Sequence, residues 1–199
     1  MLSDGFHDVP TGKIAAVVTS LEMFERPALR PEAASAGWTL EQLETPDADD
    51  YLDLYRAVGT DWLWFTRLVT SREQLLSDIL DPQVEVYRLS APGGEVGILE
   101  LDFRQPETCE LVYFGVTGGL IGGGTARWMM NRAIERAWSQ PIKRFWVHTC
   151  TLDHAGAPDF YVRSGFRAYR REIEIADDPR LIGLAPMGSA SHVPVIPDV

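Results

Sequence analysis

The chain of 199 residues is 45% hydrophobic and carries a formal net charge of −11. This length and apolar content suffice for one well-packed domain, and the presence of both helical and strand patterns argues against an all-α or all-β class. The negative charge argues against nucleic-acid binding, because phosphates need a basic surface. The sequence contains no run of about 18 apolar residues, so it predicts no transmembrane helix. Its N-terminus lacks the features of a signal peptide. We therefore expect a cytoplasmic protein without a membrane or nucleic-acid partner.

The two cysteines, Cys109 and Cys150, stand in apolar, strand-like contexts. Neither belongs to a Cys-x-x-Cys motif or to a paired Cys/His spacing, so the sequence predicts no structural zinc site and no other metal. Buried free thiols are the expected state of both.

The first half of the chain predicts strands and helices that follow a loose N-terminal arm. Acidic residues at 47, 49 and 50 suit the start of a helix, and the dipeptide Asp81-Pro82 suits the end of another. In chain order we expect the arm over 1–12, a strand over Lys13–Met23, a short element over 38–43, and helices over 51–58 and 71–80.

The second half predicts an antiparallel meander followed by a strand–helix–strand unit. Such a unit implies a right-handed crossover and one parallel strand pair. No internal repeat or composition shift marks a second domain, so we expect a single domain over 1–199. The expected strands cover 84–89, 95–103, 109–116, 144–151 and 166–175, with helices from 126 and over 155–164 and an irregular tail over 176–199.

A glycine-rich segment joins the third meander strand to the following helix. Five of the ten residues 117–126 are glycine, which permits positive φ and close approach of a ligand to the backbone. A helix start also presents unpaired N–H groups and a partial positive charge. Together these features predict a phosphate-binding site.

Two familiar phosphate motifs match this segment poorly. A dinucleotide-binding fingerprint belongs in an early βαβ unit, with an acidic residue about 20 positions further on. A P-loop needs a lysine before its Ser or Thr, and this loop has no lysine.

Three blocks resemble the GNAT superfamily of acetyl-CoA-dependent N-acetyltransferases. Residues 121–126 stand in the register of the Q/R-x-x-G-x-G/A loop, with Gly124 and Ala126 at its small positions and Ile121 where Gln or Arg is usual. Residues 157–166 resemble the A-x-x-x-Y-x-x-x-G-F signature, and residues 147–154 resemble a strand end of one bacterial branch. The resemblance implies a mixed α/β fold with a mostly antiparallel sheet of about six or seven strands, splayed at a parallel pair and flanked by helices.

The resemblance implies acetyl-CoA as co-substrate and a set of residues that bind it. The pantetheine arm would pair with the backbone of the strand before the loop, and loop amides would take the pyrophosphate, with a charge-assisted contact from an arginine. His154 stands at a position where members of this superfamily often carry Asn. The implied set is Phe114, Val116, Ile121, Gly122, Gly123, Gly124, Thr125, Ala126, Arg127 and His154.

Acetyl transfer to an amine requires a base for the ammonium proton and an acid for the departing thiolate. The resemblance assigns the acid to Tyr161, whose phenol keeps its proton at pH 7, and favours Glu110 as the base. Strand periodicity places Glu110 on one face with Val112, Phe114 and Val116. Glu100, whose face Asp102 shares, is the rival base; His148, His154 and a water chain are the remaining alternatives.

The primary hypothesis is therefore transfer to a small-molecule or peptide amine, and two alternatives remain. One is a CoA-binding protein of the same fold without transferase activity. The other is a structural or interaction protein, which requires the aromatic-rich residues 60–65 to be exposed; the alternative role of those residues is one wall of the acceptor pocket. The extended tail offers a segment that can wrap around a second copy, so a homodimer is an alternative to a monomer.

Overall fold

The computed structural model describes residues 3–32, 34–35 and 37–197. The first two residues of the predicted arm and the last two of the predicted tail lie outside the described residues. None of the helices in the described ranges is long and apolar enough to cross a membrane.

Seven strands in the described part of the chain form one sheet, in the order β2-β3-β4-β5-β6-β1-β7. All neighbouring pairs are antiparallel except β5 and β6. This confirms the predicted mixed α/β class with a mostly antiparallel sheet. The strands are β1 (Lys13–Met23), β2 (Thr39–Gln42), β3 (Val84–Ser90), β4 (Val96–Asp102), β5 (Thr108–Val116), β6 (Arg144–Cys150) and β7 (Arg167–Asp177).

Five α-helices flank this sheet in the described ranges. Asp47 caps α1 by accepting a hydrogen bond from the Asp49 amide at 2.8 Å, and Ser71 caps α3 by accepting one from the Gln74 amide at 3.2 Å. Such caps satisfy amides that have no partner within the helix. The helices are α1 (Ala48–Gly59), α2 (Thr66–Val69), α3 (Arg72–Ile79), α4 (Thr125–Ala137) and α5 (Ala157–Arg163).

The two faces of the sheet bury separate apolar cores. The apolar face of α4 packs with Leu99, Leu101 and Leu111 on one side. On the other side α1 and α3 pack against Val86 and Ile98. Helices on both faces leave the ends of the central strands as the place where a ligand can enter.

The parallel strands β5 and β6 pair over only a short stretch. Their register runs from Thr108 opposite Arg144 to Leu111 opposite Val147. Beyond these residues the two strands continue without pairing to each other. The predicted splay at a parallel pair is thus present in the fold.

A β-bulge in β5 corrects the predicted faces of this strand. Glu100 pairs with Tyr113 whereas Leu101 pairs with Leu111, so Val112 is an extra residue without a partner on β4. An extra residue reverses the alternation of side chains beyond it. Glu110 therefore lies on the opposite face from Phe114 and Val116, not on the same face as the sequence predicted.

The C-terminal tail follows β7, which forms one edge of the sheet beside β1. The tail turns back to the residue before β1 through a hydrogen bond from the Gly12 amide to the Ile196 carbonyl at 2.9 Å. The buried Arg180 side chain binds Asp178 and tail carbonyls, which fixes this segment. The described part of the tail thus packs on its own chain.

Candidate functional site

A cavity of about 720 Å³ opens where β5 and β6 diverge. It runs from the glycine-rich loop before α4 to the aromatic segment after α1. Its volume falls within the range of ligand sites, about 300–1,000 Å³. The gap in the sheet, a helix start and an aromatic wall therefore meet in one place.

The glycine-rich loop, which the sequence predicts as a phosphate-binding site, lines the cavity with some of its residues. Gly122 and Gly124 line it with φ values of 81° and 89°, a region that favours glycine. Gly123 and Thr125 do not line it. Helix α4 begins without a side-chain cap and without an acidic residue in its first turn. Its free amides and positive end therefore suit an anion.

Thr125, the first residue of α4, does not line the cavity, whereas the backbone at Gly122 does. The side chain of Thr125 is fully buried, and its hydroxyl has no hydrogen-bond partner among the residues that the structure describes. Buried hydroxyls are rarely left unpaired in proteins. A Cβ built on Gly122 meets no atom within 4 Å, so the backbone there is open to a ligand.

Three arginines surround this end of the cavity. Arg30, Arg127 and Arg163 all line it, and Arg127 donates to the Pro31 carbonyl at 2.8 Å. Burial and the charges of the other two lower the pKa of Arg30. Three neighbouring cations in a chain of net charge −11 indicate a local anion site.

Sequence reasoning named Arg127 but missed the other two arginines. Arg163 stands inside the A-x-x-x-Y-x-x-x-G-F block, so its position two residues after Tyr161 was a usable signal. Arg30 lies in the segment between β1 and β2, and no local pattern links it to the loop.

Ile121 lines the cavity with 45% of its surface exposed. An apolar side chain at this place offers no polar contact to a phosphate. The backbone amides and the three arginines remain as the anion-binding groups. These groups fit the phosphates of coenzyme A.

The free edge of β5 forms one wall of the gap. Phe114 and Val116 pair with Leu99 and Gly97 of β4 on one side, whereas β6 no longer pairs on the other. Both residues line the cavity. An extended ligand can therefore add to this edge through main-chain hydrogen bonds.

Tyr161 lines the cavity from α5, within an aromatic cluster. Its ring lies 6.4 Å from that of Phe114, 5.6 Å from Phe160 and 5.9 Å from Phe166. Within the described ranges its hydroxyl has no hydrogen-bond partner. Burial, with a smaller effect of Asp153, raises the pKa of Tyr161 well above its ordinary value. The phenol therefore stays protonated at neutral pH and can serve as a donor.

His148 and Glu110 meet on the neighbouring strands β6 and β5. Glu110 Oε1 lies 3.7 Å from His148 Nδ1. This contact raises the pKa of His148 above its ordinary value, although burial opposes the shift. His148 lines the cavity and Glu110 does not. The carboxylate of Glu110 can therefore stabilise the protonated imidazole, which leaves His148 Nε2 as a candidate proton acceptor.

Glu100 lies away from the cavity, in a buried network between α1, α2 and β4. Its side chain accepts hydrogen bonds from the Tyr51 hydroxyl and from Arg67 Nη2, each at 2.5 Å. Arg67 also binds Asp78 at 2.7 Å. This arrangement favours a structural role for Glu100.

The remaining predicted residue, His154, lies at the rim of the cavity. Its Nδ1 accepts a hydrogen bond from the Gly156 amide at 3.0 Å, and its ring contacts that of Trp62 at 5.5 Å. Because Nδ1 is an acceptor, His154 carries its proton on Nε2. It is thus placed to donate to a ligand.

The aromatic segment after α1 forms the end of the cavity opposite the arginines. Trp62, Trp64 and Phe65 line it, and none of them is exposed. This burial counts against the structural or interaction protein, which required an exposed segment. The structure thus brings Tyr161, His148, the loop and the aromatic segment together in one cavity, and it leaves Glu100 outside.

Comparison with known proteins relates the chain to others through its fold. The chain matches no protein-family model, and it matches no curated protein by sequence. Solved structures do match it. A GCN5-related N-acetyltransferase from Sphaerobacter thermophilus superposes with a TM-score of 0.59 at 16% identity, covering 82% of this chain and 52% of that one.

Two further structures agree with this match. An IAA acetyltransferase from Bacillus cereus superposes with a TM-score of 0.51 at 19% identity, covering 67% of this chain and 79% of that one. A functionally unknown conserved protein from Staphylococcus epidermidis superposes with a TM-score of 0.57 at 16% identity, covering 84% of this chain and 63% of that one. The chain thus spans 52% of the length of the Sphaerobacter thermophilus structure and 63% of the length of the Staphylococcus epidermidis structure. It has the fold of the GNAT acetyltransferases.

Proposed function

We propose that this protein transfers the acetyl group of acetyl-CoA to a primary amine by direct attack. The observation that carries the proposal is the single cavity at the splayed strands, where an anion-binding helix start, a buried phenol and a carboxylate-supported histidine meet. The fold supports acetyl transfer in general. The amine, the acid and the base are inferred from the chemistry of the residues that line the cavity.

The co-substrate would be held by the loop and by the free edge of β5. The amides at the start of α4 and the three arginines would take its phosphates. Phe114 and Val116 would pair with its pantetheine arm. Bound there, acetyl-CoA supplies an acetyl group already activated as a thioester.

His148 would act as the general base. Its Nε2 accepts a proton from the ammonium of the acceptor, and Glu110 stabilises the imidazolium that results. The amine nitrogen then bonds to the acetyl carbon as the carbon–sulfur bond breaks. The sequence favoured Glu110 as the direct base. We instead assign the base to His148, with Glu110 acting through it, because His148 lines the cavity and Glu110 does not.

Tyr161 would be the general acid for the leaving sulfur. Burial keeps its hydroxyl protonated, and no described side chain competes for that proton. The phenol donates to the departing thiolate, so the products are an amide and free CoA. The phenol is regenerated when the phenolate takes up, through water, the second proton that the nitrogen loses as the amide forms.

Calorimetry with CoA and a thiol-release assay with acetyl-CoA test this proposal. We expect saturable CoA binding and release of thiol that depends on an added amine. Absence of CoA binding would remove the proposal. Binding without transfer to any amine would instead support the alternative of a CoA-binding protein without transferase activity.

A further inference from the structure

The aromatic segment presents a rigid apolar wall to the cavity. The Trp64 ring lies 5.5 Å from that of Tyr55 and 5.3 Å from that of Tyr113, and its Nε1 donates to Asp153 Oδ1 at 3.1 Å. These contacts fix the indole. A fixed apolar wall binds a ligand without the entropic cost of ordering side chains.

Trp62 adds an aromatic ring that is not part of the hydrophobic core. It is half-buried, lines the cavity and belongs to none of the buried apolar clusters in the described ranges. Its ring contact in the fold is with His154. One face of the indole is therefore available to a ligand.

The charges along the cavity limit how many cationic groups an acceptor can carry. The carboxylates among the described lining residues are Asp153 and Glu174. Asp153 already accepts hydrogen bonds from Trp64 Nε1, from the Thr149 hydroxyl at 2.7 Å and from the Cys150 amide at 2.9 Å. Glu174 therefore remains as the carboxylate that can receive an ammonium group.

Glu174 lies close enough to His148 for its charge to act there. Its electrostatic effect is one of the smaller contributions that raise the pKa of His148. His148 and Glu174 both line the cavity, so the proposed base and a free carboxylate belong to the same site. A second or third ammonium would find no further free carboxylate among the described lining residues, and burial of an unpaired charge is costly.

We infer that the acceptor is a small primary monoamine with an aromatic or branched apolar body. The inference rests on the proposed function and narrows its substrate class. The body lies against Trp62, Trp64 and Phe65, and the single ammonium lies near His148 and Glu174. Polyamines and aminoglycosides carry more positive charges than this lining can neutralise.

Steady-state kinetics with matched acceptors test the inference. With acetyl-CoA saturating, 2-phenylethylamine, spermidine, kanamycin and an alanine-initiated tetrapeptide are compared by thiol release and by mass of the product. We expect kcat/KM for 2-phenylethylamine to exceed the other three by at least about tenfold. A higher value for any of the other three would overturn the inference and leave the proposed function standing. No transfer to any of the four acceptors would overturn both.

The variant Trp62→Ala tests whether the aromatic wall contacts the acceptor. We expect KM for 2-phenylethylamine to rise about tenfold, which corresponds to loss of one aromatic contact, with CoA affinity unchanged. Tyr169→Ala is the control, because Tyr169 is an exposed aromatic outside the cavity. An unchanged KM in a folded Trp62→Ala protein, shown by normal CoA binding, would contradict the inference.

Discussion

Glu110 Oε1 and His148 Nδ1 lie 3.7 Å apart, on the two parallel strands that diverge just beyond them. The strands bring together residues that are 38 positions apart in the sequence. Glu110 lies behind His148, which lines the cavity. The carboxylate thus acts on the site through the imidazole.

The first prediction concerns the pH dependence set by this pair. The base must be neutral to accept a proton, so activity rises with pH through the raised pKa of His148. In Glu110→Gln the stabilising charge is lost, the pKa of His148 falls, and the acid limb of kcat/KM shifts to lower pH. Glu172→Gln, an exposed carboxylate on β7, is the control. An acid limb that does not move in Glu110→Gln would contradict the pairing.

The second prediction concerns the proposed acid. Tyr161→Phe removes one hydroxyl and keeps the ring among Phe114, Phe160 and Phe166. We expect kcat to fall by about 10²–10⁴-fold, the usual contribution of a general acid, while calorimetry shows unchanged CoA affinity. Tyr169→Phe on the exposed strand serves as control. A near-normal kcat in Tyr161→Phe would show that Tyr161 contributes packing and not acid catalysis.

The third prediction concerns the loop. Ile121 is exposed in the cavity, so its replacement costs little core packing. Ile121→Arg adds a charged donor beside the start of α4, and we expect the Kd for CoA to fall about tenfold, as one charge-assisted hydrogen bond is worth about 1.5–3 kcal/mol. Ile121→Leu should leave the Kd unchanged. If the two variants bind CoA equally, the loop does not contact the phosphates.

The fourth prediction concerns the buried network around Glu100. Arg67→Met leaves the fully buried Glu100 without its cation, which should destabilise the fold by about 3–5 kcal/mol. Urea denaturation measures this loss. Arg72→Met is the matched control, because the ion pair of Arg72 with Asp49 is solvent-exposed and should contribute little. Equal effects of the two substitutions would contradict a structural role for the network.

Much of the fold could be predicted from local patterns. Strand β1 matches its predicted bounds, Lys13–Met23, and the crossover through α4 gives the predicted parallel pair. These features depend on alternation of side chains and on helix periodicity, which are local properties of a sequence. The order of strands depends on tertiary packing, so the place of β1 between β6 and β7 was not predicted.

The candidate site was predicted less completely, for reasons that its residues make clear. A single extra residue, Val112, reversed the faces of β5 and moved Glu110 behind His148. Arg30 reaches the loop from a segment almost a hundred residues earlier, so no spacing could indicate it. Tyr161, Gly122 and Gly124, which line the cavity, could be predicted because a short motif carries them.

Thiol release from acetyl-CoA on addition of 2-phenylethylamine, with the acetylated amine identified by mass, decides whether the protein is an amine acetyltransferase. We expect thiol release in equal amount to the amide formed, at a rate that saturates with both substrates and falls in Tyr161→Phe. Acetyl-CoA binding without any amine-dependent thiol release, across acceptors of every class, would show that the protein does not transfer the acetyl group.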